Sequence, residues 1–378
     1  MFDSFIRLVK DIYQTEAFIP LHAPCFHGNE KQYLLDVIDS TFVSSVGPFV
    51  NLFEARIAEY CGAKHAIAMV NGTAALHIAL LLAGVKPGEE VITQAVSFVA
   101  TSNAIHYCGA EPVFVDVDLH TLGLSPQALL VFLEEFGELR DEGVWNKTNG
   151  KRIAACLPMH TFGHPCDIEG ILKVCNQYRI RVVEDAAEAL GSRLKGQHCG
   201  TFGQLGVLSF NGNKIMTSGG GGMLLTDDEE LAAQAKHLTT TAKLDHPWRF
   251  IHDQVGYNYR LPNLNAALGL AQLEQMPLFV RRKRELAVRY IAWARQQNVD
   301  IAVEPIGAQA NYWLNALLLP DAAERERFLE YGKTAGVMMR PLWELTNNLP
   351  MYSHCQIGDL RNSHDLAERL VNIPSSVV

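Results

Sequence analysis

"GVLSFNGNKIMTSGGGGMLLT", Gly206 to Thr226, holds two short apolar runs, "GVLSF" and "GMLLT", on either side of a polar loop. Both runs have the length and aliphatic content of buried strands. The loop carries one lysine, Lys214, with almost no other charge nearby, followed by four glycines, Gly219 to Gly222. A lone amine beside a strand end has one specialised use, formation of a Schiff base with a carbonyl once its surroundings favour the uncharged form. The glycine run implies a backbone that passes too close to other groups to carry side chains. The expectation is that a substrate lies over it.

Working outward, the preceding residues alternate between strand and helix. "AIAMV" runs into the helical "NGTAALHIALLLAG", "EVITQAV" into "SFVATSNAIHYCGA", "EPVFVDVD" into "SPQALLVFLEEF", and "RIAACLPMH" into "DIEGILKVCNQY", after which comes the strand "RVVEDAA". Such alternation predicts an α/β fold with a mostly parallel sheet covered by helices on both faces. The polar stretch 137–152 reads as a surface excursion. From about Arg260 long amphipathic helices and two strand-like runs, "NYWLNALLLP" and "GVMMRPLW", predict a smaller α+β unit. The expected organisation is an N-terminal arm or helix over 1–30, a large domain over 31–255 and a small C-terminal domain over 256–378.

Ligands of open parallel sheets bind beyond the carboxyl ends of the strands. Four features fall there: Asn71-Gly72-Thr73, His160, Glu184-Asp185, and Ser209 through Lys214. Pyridoxal phosphate (PLP) is the carbonyl cofactor whose needs they meet, namely a lysine, an acid at the pyridine nitrogen, a phosphate cradle and a flat group on the ring. Asp185 supplies an acid, although it would equally cap a following helix. Gly72 and Thr73 stand where a strand turns into a helix, so their N–H groups face an anion; Asn-Gly is also an ordinary turn. Ser209 offers a hydroxyl to the same phosphate. Phe98 is a candidate stacking ring or a core side chain.

Composition narrows the class further. The chain has 378 residues, a formal net charge of −9 and 48% hydrophobic residues. That balance suits a globular protein and argues against one that coats nucleic acid. Its eight cysteines form no C-x-x-C pair, which fits reduced thiols and no metal site. The first residues, "MFDSFIRLVKDIYQ", interleave charge with apolar positions and lack the centre of a signal peptide. The expectation is a cytoplasmic protein without a membrane partner. Neither G-x-x-x-x-G-K-[ST] nor a convincing G-x-G-x-x-G occurs, so a non-catalytic nucleotide-binding protein is the weaker alternative.

Taken together, "VNGTAALHIAL", "SFVATSNAI", "PMHTFGHPCDI", "VVEDAAEALGS", "SFNGNKIMTSGGGGML" and "GYNYRLPNLNAALGLAQLE" resemble the DegT/DnrJ/EryC1/StrS family of PLP-dependent sugar aminotransferases over nearly the whole chain. The resemblance implies fold type I, the aspartate aminotransferase-like fold. It implies that Lys214 is the Schiff-base lysine, general base and acid, and that Asp185 is the pyridine-nitrogen partner. Gly72, Thr73 and Ser209 match the phosphate-binding positions, and Phe98 the stacking ring. Glu188 stands where many relatives carry glutamine or histidine beside the ring. Asn258 resembles an asparagine that reaches the phosphate of the neighbouring subunit, which implies a homodimer with a shared site. Relatives with histidine at the lysine position dehydrate their sugar instead; this chain keeps the lysine. "NGNK", "HDQVGYNYRLPN" and "LVNIPSS" are most similar to the branch serving legionaminic-acid and related pathways. That branch implies transfer from L-glutamate to carbon 4 of a UDP-linked 2-acetamido-2,6-dideoxy-4-ketohexose, with a 3-aminotransferase or another PLP-dependent sugar-nucleotide enzyme as the alternative. The candidates for the nucleotide-sugar site are His160, Lys243, His246, Arg249, Arg260 and Arg340. Each is also explained as a turn-stabilising or solvated side chain.

Overall fold

The strand Arg181–Asp185 occupies the middle of the main path of a nine-stranded sheet. A computed structural model describes all residues from Met1 to Val378. Along that path the order is His65–Met69, Gly222–Thr226, Leu205–Ser209, Arg181–Asp185, Arg152–Leu157, Glu90–Gln94 and Glu111–Val115. All neighbours are parallel except Gly222–Thr226, which runs against both of its partners. These strands are almost wholly buried, as parallel strands covered on both faces must be. The α/β expectation therefore holds.

The helices between the strands begin where the sequence supplies caps. Asn71 accepts a hydrogen bond from Ala74 N at 2.8 Å and starts Gly72–Leu82. Ser125 and Asp167 do the same for Pro126–Phe136 and Ile168–Gln177. Gly72–Leu82 is apolar on nearly every side because it is buried on nearly every side. The stretch 137–152 departs from the expected plain excursion. Gly137–Arg140 and Gly143–Asn146 form a hairpin, and Val144 and Trp145 of its second arm pair with Ile153 and Arg152, which joins the hairpin to the sheet.

A second, antiparallel sheet is built from Asp300–Ile301, Asn315–Leu318, Leu370–Ile373 and Arg340–Pro341, in that order. The long helix Met276–Gln297 and the N-terminal helix Phe2–Tyr13 share its core, where Phe5 meets Tyr290, Trp293 and Phe328. The helix Asn263–Leu273 lies instead against Glu30–Ser40 and Pro48–Cys61. Of "NYWLNALLLP" only Asn315–Leu318 is strand, because Tyr312 takes a positive φ of 50° just before it.

Candidate active site

Asp185 ends the central strand and is 2% exposed. Thr101 Oγ1 donates to its Oδ2 at 2.7 Å, and Ala187 N to its Oδ1 at 3.1 Å. Burial raises its pKa, while Thr101, Ala187 N–H and the Lys214 charge oppose the rise. Those partners favour a carboxylate, which is what a protonated pyridine nitrogen requires. Lys214 stands in the loop between Leu205–Ser209 and Gly222–Thr226, 12% exposed, with Nζ 3.1 Å from Glu188 Oε1. Its Nζ also lies 4.1 Å from the centroid of the Trp313 ring. Glu188 is fully buried, and Phe162 N donates to its Oε2 at 2.9 Å. Burial pushes its carboxyl up to about 7, against the pull of the Lys214 charge.

These three groups share a cavity of about 290 Å³ with Gly72, Thr73, Phe98 and Ser209. The start of helix Gly72–Leu82 presents unbonded N–H groups there, the usual seat of a phosphate. A Cβ on Gly72 would sit 3.0 Å from Ser209 Cβ and 3.2 Å from its Oγ, filling the space a phosphate oxygen would take. Phe98, 48% exposed, forms an edge-on pair with Trp343 at 6.1 Å at the mouth. The donor set fits PLP. An amine, an acid at a strand end, an anion cradle and aromatic walls surround one cavity of suitable size.

The glycine run has a different cause from the one expected. A Cβ on Gly222 would lie 2.4 Å from the Asn71 carbonyl, and one on Gly221 2.3 Å from Ser218 Oγ. Gly222 is small so that the antiparallel strand can pack against the strand-to-helix turn carrying the cradle, and Gly221 so that the loop can close on Ser218, Leu261 and Phe210. Gly219 has a φ of +79°, and a Cβ on Gly220 would meet nothing closer than 3.7 Å. None of the four lines the cavity.

The remaining candidates stand apart from it. His160 is fully buried, its Nε2–H donating to Glu184 Oε2 at 2.9 Å while Nδ1 accepts from Cys166 N at 3.2 Å. Glu184 also accepts from Gly200, Phe202 and Gly203 N–H, so the pair ties the strand ends to the following loop. Lys243, His246 and Arg249 lie on the excursion 241–256, where Lys243 pairs with His252 and covers the Phe250 ring at 4.4 Å. Asn258 is exposed and bridges Thr240. Arg260 bridges Met69, and its Nε is buried with no acceptor. Arg340 is exposed on the small sheet. Sequence reasoning missed Thr101, Trp313 and Trp343 as cavity residues. Thr101 had a signal, its place one helical turn beyond Phe98. The two tryptophans had none, since they arrive from the other sheet's side of the chain.

A parallel sheet with a buried lysine and aspartate at its strand ends, facing a helix N-terminus, defines a fold-type-I PLP-dependent enzyme. The chain belongs to the DegT/DnrJ/EryC1/StrS aminotransferase family, whose pattern it matches over residues 24–377. It is similar to a GDP-perosamine synthase of Escherichia coli O157:H7, 37% identical over 366 residues that cover 95% of this chain and 93% of the relative. The spore coat polysaccharide biosynthesis protein SpsC of Bacillus subtilis is 35% identical over 288 residues, covering 74% and 70%. Among solved structures, the aminotransferase TlmJ of Streptoalloteichus hindustanus superposes with a TM-score of 0.84 at 30% identity, covering 94% of this chain and 93% of its own. No helix is long and apolar enough to cross a membrane.

Proposed function

We propose that this sugar aminotransferase moves the amino group of L-glutamate to the keto carbon, C4, of a nucleotide-linked 6-deoxy-ketohexose used in surface-glycan biosynthesis. The observation that carries the proposal is the contact of Lys214 with Glu188 in the same cavity as Asp185 and the Gly72 cradle. Bound PLP supplies an aldehyde carbon and a pyridine ring that accepts an electron pair. Lys214 Nζ holds the cofactor at rest. Freed by the donor, Lys214 Nζ would take the proton of the donor's α-carbon and would hand it to the cofactor's aldehyde carbon. Asp185 keeps positive charge at the ring nitrogen. Gly72 and Thr73 N–H with Ser209 Oγ anchor the phosphate, and Phe98 covers the ring. Glu188 faces the lysine rather than the solvent.

The branch resemblance favours a UDP-linked 2-acetamido-2,6-dideoxy-4-ketohexose. A GDP-linked sugar is the second reading, favoured by the GDP-perosamine synthases at 34–37% identity. Incubation with UDP-, GDP- and TDP-linked ketosugars plus L-glutamate, with 2-oxoglutarate beyond one equivalent per site as readout, separates them. No release beyond that first equivalent with any of these sugars would overturn the proposal.

We also propose a homodimer with shared sites. Leu35, Ile38, Phe42 and Val46 are exposed around the helix Glu30–Ser40, as are Trp248 at 78% and Phe250 at 82% on the excursion. Contiguous exposed apolar side chains mark an interface. Asn258, Lys243 and Arg249 lie off their own cavity, which suits service in a partner's. Mixing inactive K214A with inactive N258A protein should restore activity, because one of the hybrid's two sites is intact. Failure to restore any would refute sharing.

A further inference from the structure

We propose that Trp313 is a catalytic residue that stabilises Lys214 as an ammonium, the form the lysine takes on removing a proton from the amino donor. The proposal rests on Lys214 being the reacting amine. Nζ lies 4.1 Å from the indole centroid in a site where the lysine is only 12% exposed. The face of an indole carries negative potential, and its attraction for an ammonium grows as water is shut out. Glu188 Oε1 approaches the same nitrogen at 3.1 Å. The two differ in kind, since the carboxyl titrates and the indole does not. Asp185 and His22 are the other titratable groups that sense the Lys214 charge.

The indole is held in place by its own segment. Trp313 N donates to Asn311 Oδ1 at 2.7 Å, and Nε1 donates to the carbonyl of Asn213, the residue before Lys214, at 2.7 Å. Its carbonyl accepts from the fully buried Lys283 Nζ at 3.0 Å. Asn311 Nδ2 donates to the carbonyls of Glu188 and Leu190 at 2.8 and 2.9 Å. One segment therefore sets the indole against the lysine and anchors the backbone of Glu188. In the proton transfer, the donor's α-C–H bond breaks and an N–H bond forms with the Lys214 lone pair. With PLP bound, the electron pair would be left to the cofactor ring, and in the second transfer the Lys214 N–H bond would break as the proton passes to the cofactor's aldehyde carbon. The indole lowers the energy of the charged lysine between those two events.

The test weakens the π face without changing its shape. Protein is made with mono-, di- and trifluorinated tryptophan, in the wild type and in W313F. Cofactor-free protein is treated with trinitrobenzenesulfonate at fixed pH, and Lys214 modification is followed by peptide mass mapping. In wild type, Lys214 should react faster with each added fluorine, towards an end point in W313L roughly 2- to 30-fold above the unsubstituted protein. The W313F series should be flat and lie between wild type and W313L, since Phe keeps a ring with a weaker π face. With PLP bound, the isotope effect from α-deuterated glutamate should rise across the wild-type series. A flat wild-type series overturns the proposal, as does W313F reacting like W313L, which would assign the effect to the lost Nε1–H bond. If W313L does not fold, the fluorinated series decides alone. The underlying assignment fails separately, if K214A still captures PLP covalently.

Discussion

Glu188→Gln removes a carboxyl held near neutrality while keeping its shape. In the unfolded chain the group titrates near 4.5, and in the fold at about 7. Between those values the folded protein retains a proton that the unfolded chain has released. Stability contributed by the neutral acid is thus complete below about 4.5 and is lost as pH rises through about 7. A difference of roughly 2.5 units corresponds to about 3 kcal/mol. At ~2.1 cal/mol/K per residue the unfolding entropy of a chain this long is roughly 0.8 kcal/mol/K, so the shift is about 4 °C in Tm. The assay is a melting series on cofactor-free wild type and E188Q from acid to mildly alkaline pH. The wild-type Tm should fall relative to E188Q by about 4 °C across that window and be parallel outside it. A Tm difference that stays constant throughout would refute the assignment of a proton to Glu188.

Lys214→Ala should abolish the yellow band of bound PLP and slow glutamate-driven turnover by roughly 10²-fold or more, read by visible absorbance. Gly72→Ala should cost about 1–3 kcal/mol of stability, because its Cβ would stand 3.0 Å from Ser209 Cβ, and should weaken PLP affinity at least roughly 10-fold by filling the cradle. Titration of cofactor-free protein with PLP measures that loss. Glu184→Ala should destabilise the fold by about 3 kcal/mol or more, because it strands three backbone N–H donors and His160; denaturant melts check it. Thr101→Val should cost about 1–3 kcal/mol of Asp185 carboxylate stabilisation. The pH dependence of the PLP spectrum should then shift towards higher pH.

The strand ends were legible because each is encoded locally, by a short apolar run broken by a polar or glycine signal. Lys214, Asp185 and the Gly72 cradle could be placed on one cavity from that rule alone, whereas Glu188, three residues past its strand, came only from the family resemblance. The glycine run was legible as a constraint but not as to its source. Close approach to a ligand and close approach to a neighbouring turn leave the same mark on a sequence, and the Asn71 carbonyl proves to be the neighbour of Gly222. Trp313 was hidden by the opposite problem. "NYWLNALLLP" is apolar enough to read as one buried strand, yet Asn311 Oδ1 accepts from Trp313 N and the strand starts only at Asn315. Basic residues were the least legible. Charge alone does not say which surface faces a cavity, and the excursion that carries three of them lines no part of its own.

The helix Phe2–Tyr13 is stitched to residues made much later. Trp293 Nε1 donates to Ser4 Oγ across 289 positions, and Tyr13 Oη to the Ser376 carbonyl across 363. During synthesis its apolar face of Phe5, Ile6, Val9 and Ile12 is made long before the partners that cover it. At ~5–20 residues per second, the 289-position gap alone is a wait of roughly 15 to 60 s. For that interval the nascent chain carries a helix whose apolar face has no partner, surface that invites association until the later residues arrive.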